Sequence, residues 1–270
     1  RVGELYRHHR AGRHRSIPLE GVTLDEEGML PEALAARAEE TGAKLVYLTP
    51  TLQSPTAATM SPERRAAIVD VARAADLYLI EDDCYGFLDP DGPPPLQTLA
   101  PERVFYVTSF AKCFSPALRL GMALVPPRFA GAMAVGLRAS SWMASPLLAR
   151  AMAHLCDTGE LDDVIKDKRA EATARMALAR QQLGQPAATH APDGFHLWLP
   201  LPDPQTALAF VGNAAGRGVV LTAPDVVQVS ADAPPGVRLC LGGPADRDTL
   251  AAALEQVREL YLPSTWRSVV

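Results

Sequence analysis

The sequence predicts an α/β fold, a mainly parallel sheet flanked by helices, followed by a smaller α+β C-terminal domain. Two patterns predict it: short continuous apolar runs at residues 45–49, 77–80 and 104–107 with helical stretches between them, and a change of organisation after Met143. Uninterrupted apolar strands alternating with helices belong to parallel sheets buried on both faces. A chain of 270 residues can bury one large core or two modest ones, and 48% hydrophobic with 21% charged residues is the balance of an ordinary globular protein.

Residues 30–40 read as a helix and 45–49 as a strand. Ser61-Pro62 is a helix start, a hydroxyl cap followed by a proline suited to the first turn, and Ile68, Val71, Ala72 and Ala75 then share one helical face. Strands follow at 77–80 and 104–107, with another at 122–125. Residues 146–182 are helical with a break near Asp157-Thr158-Gly159. Residues 196–199 and 237–241 are strands of a second sheet, 200–204 and 233–236 are turns, and the final helix carries Leu250, Leu254, Val257 and Leu260 on one side. Trp142 and Trp198 are assigned to the core. The boundary is expected near 160, giving a large domain with an interdomain helix at 1–160 and a small domain at 161–270.

Several function classes are disfavoured. A net charge of −5 argues against nucleic-acid binding by the chain as a whole. The basic cluster at 7–15, with His8, His9 and His14, has no helix-turn-helix pattern around it and reads as a solvated loop. It also lacks carboxylate or cysteine company at ligand spacing, so no metal site is expected. No apolar run approaches the roughly 18 residues of a membrane span, and Arg138 and Arg150 interrupt the most apolar helical region. Cys84, Cys113, Cys156 and Cys240 have no paired spacing, which predicts reduced thiols and a cytoplasmic location. The start, Arg1-Val2-Gly3-Glu4, reads as neither a signal peptide nor a natural beginning, so the chain is expected to be a piece of a larger protein.

The residues with chemistry gather after the strands. Lys112 lies just past the strand at 104–107, in Ser109-Phe110-Ala111-Lys112, with Arg119 seven residues on. Once burial depresses its pKa, a lysine amine can form a Schiff base, and a hydroxyl and a guanidinium nearby can hold a phosphate dianion. That is the chemistry of pyridoxal phosphate. The strand at 77–80 ends in Glu81-Asp82-Asp83, three carboxylates that are costly to bury unless something positive meets them. A protonated pyridine nitrogen at about 4 Å and an effective dielectric near 20 would be worth roughly 4 kcal/mol. Ser54, Asp82 and Lys112 follow three different strands at the end where α/β sheets bind ligands. Arg238, on an apolar strand, needs an anion: either a structural salt bridge to a nearby Asp or a bound carboxylate.

Asp82-x-x-Tyr85, Ser109-x-x-Lys112 and Arg119-Leu120-Gly121 together resemble the fold-type I class I/II aminotransferases. Ser61-Pro62-Glu63-Arg64-Arg65, Ser141-Trp142-Met143-Ala144-Ser145-Pro146 and Val237-Arg238-Leu239-Cys240-Leu241-Gly242 resemble one branch, the aminotransferase-like domains of MocR-type regulators in the GntR family. The resemblance implies an N-terminally truncated aminotransferase fold and pyridoxal 5'-phosphate as cofactor. It implies that Asp82 pairs with the pyridine nitrogen, Tyr85 hydrogen-bonds the phenolic oxygen, Lys112 carries the Schiff base, and Ser109 and Arg119 bind phosphate. Arg238 would clamp a substrate α-carboxylate. The family's Gln-Asn-Pro-Thr-Gly reads Gln53-Ser54-Pro55-Thr56-Ala57 here, so Ser54 stands where an asparagine would donate to the phenolic oxygen, with one donor in place of two. The expected function is the effector-sensing domain of a regulator that takes an amino acid or a related amine or 2-oxo acid. A homodimer is expected, with DNA reached only through an N-terminal domain outside this sequence. The alternative is a free-standing aminotransferase.

Overall fold

The computed structural model describes residues 18–184, 192–226 and 234–266. A short antiparallel pair, β1 (Leu24–Asp25) and β2 (Gly28–Met29), precedes helix α1 (Pro31–Thr41) and strand β3 (Leu45–Leu48). Helix α2 (Pro62–Ala74), strand β4 (Tyr78–Asp82), a single turn α3 (Leu96–Leu99), strand β5 (Val104–Ser109), a single turn α4 (Phe110–Cys113) and strand β6 (Gly121–Leu124) follow. Next come helices α5 (Ala130–Ser141), α6 (Pro146–Thr158) and α7 (Glu160–Leu183). Strand β7 (His196–Pro200), helix α8 (Pro204–Gly216), strand β8 (Gly236–Cys240) and helix α9 (Arg247–Trp266) complete the described chain. The basic cluster at 7–15 and the start of the chain lie outside the described residues.

The chain divides into two compact units. One holds Pro31–Thr51 and Met60–Ala170; the other holds residues up to Leu30, Leu52–Thr59 and residues from Glu171 onward. The helix α7 therefore runs from one unit into the other.

The first unit is built on a four-stranded sheet in the order β3-β4-β5-β6. Its first three strands are parallel, with Leu48 opposite Glu81 and Asp82 opposite Val107, and β6 returns antiparallel with Gly121 opposite Ser109. The mainly parallel sheet expected from the apolar runs is thus present, and the fourth strand reverses because only the short segment 110–120 separates it from β5. Parallel pairing needs a crossover of a dozen or more residues, which α2 and the segment containing α3 supply. Ser61 caps α2 by accepting the Arg64 N–H at 3.2 Å, and Pro62 opens its first turn. Ile68, Val69 and Ala72 then bury one face. The helical stretch 146–182 breaks where expected, at Gly159, whose φ of +79° is the left-handed end that glycine adopts without penalty.

In the second unit β7 and β8 pair antiparallel, and Leu197, Leu199, Val237 and Leu239 pack with Phe210 of α8 and Leu250, Leu254 and Val257 of α9. The residues 200–204 expected as a turn lead directly into α8. Asp203 accepts the Thr206 N–H at 2.8 Å and Pro204 occupies the first turn, so the proline that suggested a turn is a helix starter. Trp142 departs from its expected core position: it is 70% exposed, with a left-handed φ of +68° past the end of α5. Trp198 is half-buried on β7.

One polar pair lies deep in the first unit. Arg65 and Glu81 are 2% and 1% exposed, and their nearest charged atoms are 3.8 Å apart. Arg65 also donates to the carbonyls of Met60, Pro94 and Pro50 and to the Thr51 hydroxyl, while Glu81 accepts the Leu96 and Gln97 N–H groups, each at 2.9 Å. The pair ties the loops at the carboxyl edge of the sheet to β4, and removing one partner of such a pair costs about 3–5 kcal/mol. Burial is the largest influence on Glu81 and pushes its carboxyl up to about 7, against the hydrogen bonds and the Arg65 charge.

This raised value sets a pH dependence. A carboxyl that holds its proton more tightly when folded contributes its stability fully below the unfolded value, and the contribution falls as pH rises through the folded value. Between the ordinary 4.5 and about 7 the native state binds the extra proton, so unfolding free energy drops across that window, by at most about 3 kcal/mol for this group. Urea unfolding at a series of pH values should record the drop in the wild type and a flatter profile in Glu81→Gln.

Candidate functional site

The three carboxylates at the end of β4 have three different environments. Glu81 faces Arg65 and the first N–H groups of α3. Asp83 accepts the Tyr106 hydroxyl at 2.8 Å, and its carboxyl is raised above the usual range, chiefly by burial. Asp82 accepts the Tyr47 hydroxyl on Oδ2 and the Cys84 N–H on Oδ1, at 2.5 and 3.2 Å. Both donors are uncharged, and among the described residues no basic side chain forms an ion pair with Asp82. Tyr47 reaches it because Tyr47 pairs with Ile80, and Asp82, two residues further along β4, points to the same side of the sheet.

Lys112 is held one strand away. Ser109 ends β5 and caps α4, its hydroxyl accepting the Ala111 N–H at 3.0 Å. Phe110 and Cys113 anchor that turn in a cluster with Leu120, Met152 and Leu161. Lys112 lies between the two anchors and points outward, with its Nζ 5.6 Å from the centre of the Tyr85 ring. The burial expected around this lysine is not supplied by the described residues, which leave it exposed. The Cys84 thiol is pushed up first by burial and then by Asp82, while Lys112 acts in the opposite direction, so Cys84 senses both. Asp82, Tyr85, Ser109 and Lys112 therefore gather at the carboxyl ends of β4 and β5.

Arg119 is exposed and left-handed, at φ +50°. A non-glycine residue held there costs on the order of 1 kcal/mol, strain that the surrounding structure must offset. Leu120 after it fastens the turn by accepting the Phe110 N–H at 3.1 Å. Gly121 then passes so close to β5 that an added Cβ would meet the Thr108 carbonyl oxygen at 2.9 Å. The Arg-Leu-Gly run thus ends with Gly121 opposite Ser109 in the β5–β6 register, two residues after Arg119.

Ser54 and Arg238 belong to the other unit and pair with each other. Arg238 donates from Nη1 to the Ser54 hydroxyl at 2.8 Å and from Nη2 to the Thr222 hydroxyl at 3.2 Å. Its Nε is buried and has no hydrogen-bond partner among the described residues. The structural salt bridge to an Asp that the sequence left open is not what the described residues form. The guanidinium meets only neutral oxygens, and a planar fork in that state suits a carboxylate ligand. The loop carrying Ser54 is pinned by the buried His196, whose Nε2 donates to the Gln53 carbonyl at 3.1 Å.

Sequence reasoning missed Tyr47, Thr222 and the role of Arg65. The signal for Tyr47 was available, since β3 and β4 are parallel and period 2 puts it on the Asp82 side. Thr222 lies outside the named strands, bridging to Arg238 alone, and no pattern marks it. Among the described residues there is no cluster of metal-ligating side chains, and no helix is long and apolar enough to cross a membrane.

Comparison with known proteins places the chain in a family. The family model for aminotransferase class I and II matches residues 9–256. The uncharacterized HTH-type transcriptional regulator YdeF of Bacillus subtilis is 27% identical over 246 residues, covering 91% of this chain and 53% of YdeF. The vitamin B6 salvage pathway transcriptional repressor PtsJ of Salmonella typhimurium is 31% identical over 251 residues, covering 90% of this chain and 57% of PtsJ. The chain thus spans about half the length of these relatives. The crystal structure of Pyrococcus horikoshii kynurenine aminotransferase in complex with PMP matches with a TM-score of 0.81 over 90% of this chain and 63% of that one, at 24% identity, a likeness of fold.

The close passage at Gly121 predicts that Gly121→Ala destabilises the first unit by about 1–3 kcal/mol, the scale of overpacking. Urea denaturation measures it, and an unchanged midpoint would mean that β5 and β6 can part without loss.

Proposed function

Since the chain belongs to the class I and II aminotransferase family, we propose that it is a pyridoxal 5'-phosphate-binding domain that senses an amino acid, or a related amine or 2-oxo acid, for a MocR-type regulator of the GntR family. The observation that carries this reading is Asp82, a strand-end carboxylate with uncharged partners only, beside an outward-facing lysine amine. The donor set suits the cofactor: an acid for a ring nitrogen, an accessible amine, and a hydroxyl and guanidinium for a phosphate.

When bound, the cofactor supplies an aldehyde that condenses with amines and a ring that draws electrons from a substrate's α-carbon. The chain's own residues would contribute as follows. Asp82 would pair with the ring nitrogen and hold its proton. Tyr85, whose ring lies under the Lys112 amine, would offer its hydroxyl to the cofactor's phenolic oxygen. Lys112 would offer the nucleophilic amine and a base for an α-proton. Ser109 and Arg119 hold the phosphate. Arg238 grips an α-carboxylate with the two nitrogens that now rest on Ser54 and Thr222. Ser54, with its oxygen accepting from Arg238, offers one hydroxyl hydrogen where the family's asparagine offers two donors.

The regulator reading is supported by the similarity to transcriptional regulators along nine-tenths of the chain, and one of those relatives is named for vitamin B6 salvage. In this reading DNA contact belongs to residues other than these, the protein is a cytoplasmic homodimer, and slow amino-group transfer is compatible with sensing. The free-standing aminotransferase is the second reading, favoured by the fold likeness to such enzymes.

Visible absorbance during titration with pyridoxal 5'-phosphate tests the proposal. A band should grow in the wild type and be lost in Lys112→Ala, while stability changes by less than about 1 kcal/mol, since an exposed lysine has little packing to lose. An unchanged band in the variant would assign the covalent contact elsewhere. Arg238→Lys should leave cofactor uptake intact and weaken the spectral response to amino acids about ten- to a hundredfold, because an ammonium lacks the bidentate fork.

A further inference from the structure

We infer that Tyr47 is a positioning residue for Asp82, fixing which carboxylate oxygen faces the cofactor's ring nitrogen. The inference rests on the reading of Asp82 given above and deepens it. An aspartate's terminal torsion is broad and nearly two-fold, so a carboxylate at a strand end swings unless both oxygens are held. Here the Tyr47 hydroxyl donates to Oδ2 and the Cys84 N–H to Oδ1, and the Cys84 thiol also hydrogen-bonds the carboxylate. A carboxylate offers about four lone-pair sites, so these three donors leave one for a further donor. Tyr47 is well suited to fix this orientation because β3 is locked in register against β4 on the same face, with Tyr47 opposite Ile80.

The same strands contain a built-in comparison. Tyr106 makes a similar phenol–carboxylate bond to Asp83, at 2.8 Å, in an alternate position of β5 that faces away from the Ser109 side. If Tyr47 acted only by satisfying a partly buried acid, removing either phenol would have the same consequence. If it positions Asp82, only its removal reaches the cofactor.

The test titrates the protein with pyridoxal 5'-phosphate across pH, following visible absorbance in the wild type, Tyr47→Phe, Tyr106→Phe and Lys112→Ala, with a thermal melt of each. Tyr47→Phe should still acquire the lysine-dependent band but bind about tenfold more weakly, the scale of one hydrogen bond to a charged group. Its band should also titrate at higher pH, because a less firmly protonated ring repels a second nearby proton less. Tyr106→Phe should change the melt without either effect. Tyr47→Phe matching the wild type in affinity and titration, or Tyr106→Phe altering both equally, would overturn the inference while leaving the cofactor reading intact. A wild type with no band that Lys112→Ala lacks would overturn the cofactor reading and the inference with it.

Discussion

Three consecutive carboxylates at the end of one strand must each be met by something, and the way they are met organises the first unit. Glu81 points into the interior and takes Arg65 together with two backbone N–H groups. That arrangement binds the segments around residues 50, 60 and 94 to the sheet through the donors of one guanidinium. Asp83 is satisfied by Tyr106. Asp82, between them, has only neutral donors and the opposite side of the sheet. The interior pair ties the edge together, and the same edge presents an acid met by neutral donors. Replacing Glu81 with a hydrophobe could suit the core as well as the ion pair does, but it would remove the acceptor of the Leu96 and Gln97 N–H groups.

The parallel register carries the same logic to the lysine. Because Asp82 lies opposite Val107, the chain reaches Ser109 two residues later and turns at once into the helical turn with Lys112. The turn is short, so its position depends on Phe110 and Cys113 inside and on the return strand outside. Gly121 permits that return, and Arg119 accepts an unfavourable backbone conformation to make it. Strain of this kind persists where the position of a side chain matters more than local comfort.

Much of this was legible in the residues. The apolar runs at 45–49, 77–80 and 104–107 marked parallel strands because a sheet covered on both faces needs no alternation. Ser61-Pro62 and Gly159 punctuated helices by the ordinary chemistry of their ends. Lys112 and Asp82 stood out because ligands in such sheets bind at strand ends, Tyr85 and Ser109 joined them through their motifs, and the structure gathers these four at the ends of β4 and β5. What was not legible depended on partners distant in sequence. Nothing local distinguishes the buried Arg65 from the half-buried Arg64 before it, or says that Trp142 would end a helix in solvent. Pro204 was ambiguous because the same residue type closes turns and opens helices, and only the Asp203 cap decides. The burial expected around Lys112 was an inference from chemistry, and chemistry does not say which residues supply the cover.

The central claim is that Lys112 is the lysine presented to an aldehyde-bearing cofactor. The chain contains four lysines, Lys44, Lys112, Lys166 and Lys168, so the claim can be tested by location. The protein is incubated with pyridoxal 5'-phosphate, reduced with borohydride to fix any imine as a stable amine, and digested for peptide mass mapping. The account predicts a phosphopyridoxyl group on Lys112 at near-stoichiometric yield and only trace labelling of the other three. Equal labelling of all four, or preferential labelling of Lys44, Lys166 or Lys168, would contradict it.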